Sequence, residues 1–171
     1  MLYKQKWYGK PNAEYERSMK LARKNIEGWG DKYELILDEG FQGTNEEAAI
    51  EKDIWALTIH STVGGCVVFD CDMVPLKPYD FSREGVHAVW RGGVPSIEMM
   101  AAIGLAGTKW FSEVLVNLLA RKITLKQWGA FNKGVQPDRL NIIGKPFEIP
   151  EEYYQHDRIQ SIQREAKAGG K

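Results

Sequence analysis

Gly64-Gly-Cys-Val-Val-Phe-Asp-Cys-Asp-Met-Val-Pro-Leu-Lys-Pro78 is the stretch on which the architecture turns. Cys66 to Phe69 is a continuous apolar run bounded by glycines on one side and acids on the other. That is the pattern of a strand buried on both faces of a mixed or parallel sheet. Asp70 and Asp72 follow at its C-terminal end, where open α/β sheets form the crevice that binds ligands. Two carboxylates at that spacing repel one another. A hard divalent cation such as Mg²⁺ or Mn²⁺ relieves the repulsion and completes its shell with phosphate oxygens and water.

The sequence before this stretch alternates strand and helix. Leu2 to Tyr8 reads as a first strand closed by Gly9-Lys10-Pro11. A helix follows, with Asn12 as N-cap and Met19, Ala22, Arg23, Ile26 and Trp29 at helical spacing up to Gly28 and Gly30. Tyr33-Glu-Leu-Ile-Leu37 is a second strand. Thr44-Asn-Glu-Glu47 is a capping box that opens a second helix along Ile50, Ile54, Leu57 and Ser61. Strand, helix, strand, helix, strand argues for an α/β layered architecture. Further on, His87 to Trp90 reads as a strand, and Ile97 to Ala106 and Trp110 to Arg121 as helices. Thr124 to Gln127 is another capping box and Leu140 to Ile143 a further strand. Acids after Pro150 (Glu151, Glu152) and bases at Arg164 and Lys167 suit the macrodipole of a closing helix.

A chain of 171 residues supports one substantial core, so residues 1–171 read as a single compact domain. Lys+Arg and Asp+Glu both number 23, giving zero formal charge; with the basic residues scattered, this excludes a nucleic-acid surface. Cys66 and Cys71 fit neither a disulfide framework nor a Cys-x-x-Cys metal or redox site, and read as reduced core residues. The opening Met-Leu-Tyr-Lys-Gln-Lys lacks the apolar segment of a leader, and no stretch approaches the length of a transmembrane helix. A cytoplasmic location is the expectation.

Three blocks resemble the glycosyltransferases of family 32, which are related to the catalytic domains of the large glucosylating toxins. They are Tyr3-Lys-Gln-Lys-Trp-Tyr-Gly-Lys-Pro11; Asn25-Ile-Glu-Gly-Trp29 with Tyr33 to Leu37; and Asp53 through Gly64-Gly65 to Asp70, Asp72, Lys77 and Pro78. The resemblance implies a nucleotide-sugar-binding, GT-A-like (Rossmann-like) mixed sheet flanked by helices. Residues 1–81 would bind the donor and residues 82–171 would close the site and build the acceptor side. It further implies that Asp70 and Asp72 are the catalytic and metal pair holding Mn²⁺ or Mg²⁺, one reaching the sugar or ribose and the other the metal on the diphosphate. Trp7 would stack near the nucleobase, and Asp53 would accept from the donor sugar. The donor would be a UDP- or GDP-sugar, and the acceptor a glycan, a lipid-linked saccharide or a protein, with transfer by retention. A homo-oligomer completing the site is a further expectation.

The chain departs from the family at three positions. Ala56 stands where the family has Arg three residues after Asp53, Val68 where it often has an aromatic residue, and Lys52 where it has a small one. Arg91, at the end of its strand, is a candidate for the missing cation. His60, on the Asp53 face of the helix, reads as a partly buried or edge histidine. Tyr153-Tyr-Gln-His156 loosely matches the aromatic and His residues that close such sites, and reads as the first turn of a surface helix. Two rival functions remain: a nucleotide-sugar-binding protein of the same fold with turnover lost, and a haloacid-dehalogenase-like phosphatase with Asp70 as nucleophile. The second needs a Lys downstream of the motif, for which Lys109 and Lys122 are candidates, and then an acidic pair on a strand, whereas Asp138 and Asp157 stand alone.

Overall fold

The computed structural model describes residues 1–120, 146–159 and 166–169. In chain order they form β1 (Leu2–Tyr8), α1 (Ala13–Gly28), β2 (Lys32–Asp38), α2 (Asn45–Thr62), β3 (Cys66–Phe69), β4 (Met73–Pro75), β5 (Gly85–Arg91), β6 (Val94–Ile103) and α3 (Gly104–Ala120). After these come β7 (Phe147–Glu148), a 3-10 turn (Glu151–Tyr153) and β8 (Tyr154–His156). Six strands make one sheet in the order β2-β1-β3-β6-β5-β7, and β4 pairs with β8 beside it. β1 runs parallel to β2 and β3, while β6 is antiparallel to β3 and β5. This is the mixed, helix-flanked α/β architecture that the sequence implies, and the β3–β6 pairing joins the two halves of the chain in one sheet.

Local chemistry fixes the first three strands and two helices where the sequence puts them. The Asn12 side chain accepts from the backbone N–H groups of Glu14 and Tyr15, and Thr44 and Glu47 close a reciprocal capping box. On α1 the buried residues Tyr15, Met19, Ala22 and Ile26 form one stripe. All four residues of β3 are buried. Cys66 and Val68 point into a core shared with α2 and α3 (Ala56, Leu57, Phe111, Val114), whereas Val67 and Phe69 point into the opposite core with Ala22 and Ile26. A strand covered on both faces has no need of alternation, which is why it reads as an unbroken apolar run. Both cysteines are free and buried. Among the described residues no helix is long and apolar enough to cross a membrane.

Two expectations are overturned. Ile97 to Ala102 is strand, not helix: Gly92 and Gly93 adopt φ of 58° and 80° and form a two-residue hairpin with Arg91 opposite Val94. Consecutive positive φ values match a type I′ turn, whose twist suits paired strands. The helix-favouring Met-Met-Ala-Ala run is thereby drawn into the sheet between β3 and β5. Nor does a helix start at Pro150, where a single 3-10 turn leads into β8, held to β4 in the register Met73–His156, Val74–Gln155, Pro75–Tyr154; among the described residues helix comes only after β8, at Ile159 and over 166–169. His60 also differs from expectation, being fully buried and stacked on Phe111 at 4.5 Å. The capping box at Thr124, the strand at Leu140–Ile143, and Lys122 and Asp138 of the phosphatase reading lie outside the described residues.

Candidate active site

The order β2-β1-β3 places a switch point between β1 and β3: the chain leaves β1 through α1 to one side and reaches β3 through α2 on the other. Open α/β sheets bind ligands in the crevice at such a point, beyond the carboxyl ends of the strands. Trp7 lies at that end of β1, and Asp70, Cys71 and Asp72 follow β3 directly. They occupy a tight turn in which the Met73 N–H donates to the Asp70 carbonyl at 3.0 Å.

A buried lattice holds the turn. The Asp70 N–H donates to the Glu98 carbonyl at 2.8 Å, and the Asp70 carbonyl also accepts from Gln5 Nε2 at 2.8 Å. Gln5 is fully buried and in turn accepts from the Tyr33 hydroxyl at 2.6 Å. With its backbone fixed from β1, β2 and β6, Asp70 has little freedom beyond its side-chain torsions. Cys71 between the two acids donates to the Lys6 carbonyl at 3.5 Å, and burial pushes its thiol up to about 12. It is a packing residue rather than a nucleophile.

Each acid of the site has a partner. Lys52 of α2 is ion-paired with Asp70, and its Nζ lies 3.5 Å from Asp53. Burial disfavours the Lys52 charge, but Asp70 and Asp53 outweigh it and its pKa is raised. Asp70 is raised to about 6, first by burial, against the opposing pull of Lys52. At neutral pH both partners are charged. Asp72 accepts from His156 Nε2 at 3.2 Å. Arg91 Nη2 donates to His156 Nδ1 at 2.7 Å, and Arg91 Nε donates to Glu98 Oε2 at 2.6 Å. A guanidinium only donates, so Nδ1 is the acceptor and Nε2 carries the proton given to Asp72. The Asp72 hydrogen bond raises the His156 pKa, yet a second proton on Nδ1 would face Arg91 and break that bond. The neutral tautomer therefore belongs to the assembled line Glu98–Arg91–His156–Asp72.

The structure brings Asp53 and Asp70 together at Lys52 while Asp72 pairs with His156, and Trp7 packs with Tyr15 in the cluster that contains Cys71. Tyr15 covers one side of the Trp7 ring at 4.4 Å. Four partners of the acids, Lys52, Arg91, Glu98 and His156, are absent from the set that the motif marks out. Of these, Arg91 and His156 carry sequence signals: the hairpin glycines after Arg91, and the Tyr-Tyr-Gln-His segment.

The expected Mn²⁺ or Mg²⁺ finds no uncommitted carboxylate pair. An ion entering between Asp70 and Asp53 has to displace the Lys52 ammonium, which would strand a charge whose side chain is only 17% exposed. Removing one partner of a fully buried pair costs roughly 3–5 kcal/mol. Among the described residues no three His, Cys, Asp or Glu side chains converge in a way that could hold a metal. The residues present do not fit the ion.

With this geometry in view, the fold is similar to that of a solved glycosyltransferase. A crystal structure of a glycosyltransferase involved in the glycosylation of the major capsid of PBCV-1 is similar over 97% of this chain and 97% of that one, with a TM-score of 0.61 and 12% identity. At that identity the likeness is one of fold. No family model matches the chain, and no curated protein matches it.

Proposed function

We propose that the chain transfers a glycosyl group from a nucleotide-sugar donor, a UDP- or GDP-sugar, to a hydroxyl of a glycan, lipid-linked saccharide or protein acceptor. The observation that carries this reading is the acid pair Asp70 and Asp72, fixed at the β1/β3 switch point of a glycosyltransferase fold. In the reaction the anomeric carbon–oxygen bond breaks with its electron pair passing to the leaving diphosphate, and the acceptor oxygen forms the new bond as it loses its proton. In this reading Asp70 and Asp53 accept from ribose or sugar hydroxyls. Asp72, hydrogen-bonded to His156, accepts a hydroxyl on the other side. Oriented groups of this kind act through positioning and fixed charge rather than covalent chemistry. Transfer with retention follows the resemblance, and proton NMR of the first-formed anomer reads it.

Calorimetric titration of a panel of nucleoside diphosphates and nucleotide-sugars tests this, on the native protein and on Asp70→Asn/Asp72→Asn. We expect one base to be selected and its affinity to fall at least tenfold in the double variant. A panel in which nothing binds overturns the reading. A donor-binding protein without turnover is favoured by one observation: Ala56 is 1% exposed in the core, so no arginine meets the donor from that position. Binding without donor hydrolysis or transfer would identify it. The phosphatase reading loses ground, since the ammonium on Asp70 comes from upstream and the strand beside β3 beyond the motif is antiparallel.

A further inference from the structure

The acid cluster at the end of β3 has the composition of a cation site, and it already holds a cation. Lys52 and Ala56 lie one turn apart on α2, so their side chains share a face. The position from which the family's arginine would reach the site is filled by a buried methyl group, and the positive charge comes from one turn earlier. Lys52 Nζ is paired with Asp70 and lies 3.5 Å from Asp53. Asp72 is hydrogen-bonded to His156, and Glu98 to Arg91. No acid of the cluster is left uncommitted.

We propose that Lys52 takes the place of the divalent cation: its ammonium holds Asp53 and Asp70 together and meets the donor diphosphate, so that donor binding requires no metal. The inference rests on the glycosyltransferase reading for its ligand, but the part that concerns the acids does not. An ammonium on a four-carbon stem is a compact point charge with three donors. It can keep one hydrogen on Asp70 and turn others to phosphate oxygens. It is fixed covalently to α2, so the site needs no ion from solution. A vacancy for an external ion opens only when Lys52 is shortened.

The test has two arms. In the first, free Mn²⁺ is followed by electron paramagnetic resonance as protein is added, without nucleotide. We expect the native protein and Lys52→Arg to leave the aqueous Mn²⁺ signal unchanged at millimolar concentrations, and Lys52→Ala to reduce it. In the second, the nucleoside diphosphate selected by the panel is titrated in EDTA and in Mn²⁺. The native protein should give dissociation constants within threefold of one another. Lys52→Ala should lose at least tenfold in EDTA and recover in Mn²⁺. Native protein that sequesters Mn²⁺, or that binds nucleotide only with Mn²⁺, overturns the inference while leaving the transferase reading standing. Failure of every nucleotide in both conditions overturns the transferase reading, and the Mn²⁺ arm still decides the role of Lys52 toward the acids. Should Lys52→Ala fail to fold, the native protein and Lys52→Arg decide both arms.

Discussion

Arg91 makes two hydrogen bonds that only a forked cation can make together, Nε to Glu98 and Nη2 to His156. Arg91→Lys keeps the charge and loses the fork, so it cannot bridge both partners. We expect its kcat/KM for transfer to fall by at least tenfold, with the thermal midpoint moving by only a few degrees; an unchanged kcat/KM would show that the line from Glu98 to Asp72 is ornamental. At this scale the sequence carries the acids but not their partners. Asp70, Asp72 and Asp53 stand out through spacing and resemblance. His156 is 84 residues from Asp72, and Arg91 is 65 from His156; no local pattern records contacts that only strand pairing creates. Lys52 stands out in the sequence as a departure, and its meaning comes from the packing of α2 that sets its ammonium on Asp70 and Asp53.

Among elements, the parts legible from sequence were those stabilised locally. Asn12 and Thr44 cap their helices with their own side chains, and β3 announces itself by an unbroken apolar run. The β5–β6 hairpin was harder to see, because Met99, Met100, Ala101 and Ala102 favour helices and the decisive signal lay outside them, in two glycines. β8 is hidden in the sequence for a similar reason. Its acidic approach resembles a helix start, while the interaction that forms it comes from β4, far away in the chain. Helix α3 yields a test of how tightly the layers fit. Gly107 lies inside this helix, where Gly→Ala ordinarily gains up to about 1 kcal/mol. Here an added Cβ would stand 2.7 Å from the Gly85 carbonyl oxygen and 3.0 Å from Ala102 Cα, both backbone atoms that yield poorly. Gly107→Ala should therefore destabilise by ~1–3 kcal/mol, read by urea unfolding. A stabilised variant would mean that α3 can lift off the sheet freely.

For the molecule as a whole, one buried histidine makes the stability depend on pH. Burial lowers His60 from 6.5 to about 3, and among the described residues neither ring nitrogen has a hydrogen-bond partner. Below 6.5 the unfolded chain takes up a proton that the folded chain refuses. Its contribution is complete above 6.5 and drains as pH falls toward 3, by at most about 1.4 kcal/mol per pH unit. Urea midpoints between pH 7 and pH 4 should fall less steeply for His60→Leu than for the native protein. Equal slopes would mean that water reaches the ring.

The pairing of β4 with β8 also sets an order in time. A chain leaves the ribosome from its N-terminus at roughly 5–20 residues per second, so the 84 residues between Asp72 and His156 take roughly 4–17 seconds to make. Through that interval the nascent chain carries Lys52, Asp53, Asp70 and Asp72, while the imidazole that orients Asp72 has not yet been synthesised. The acids are born early and governed late, and competence arrives with one of the last strands to be translated.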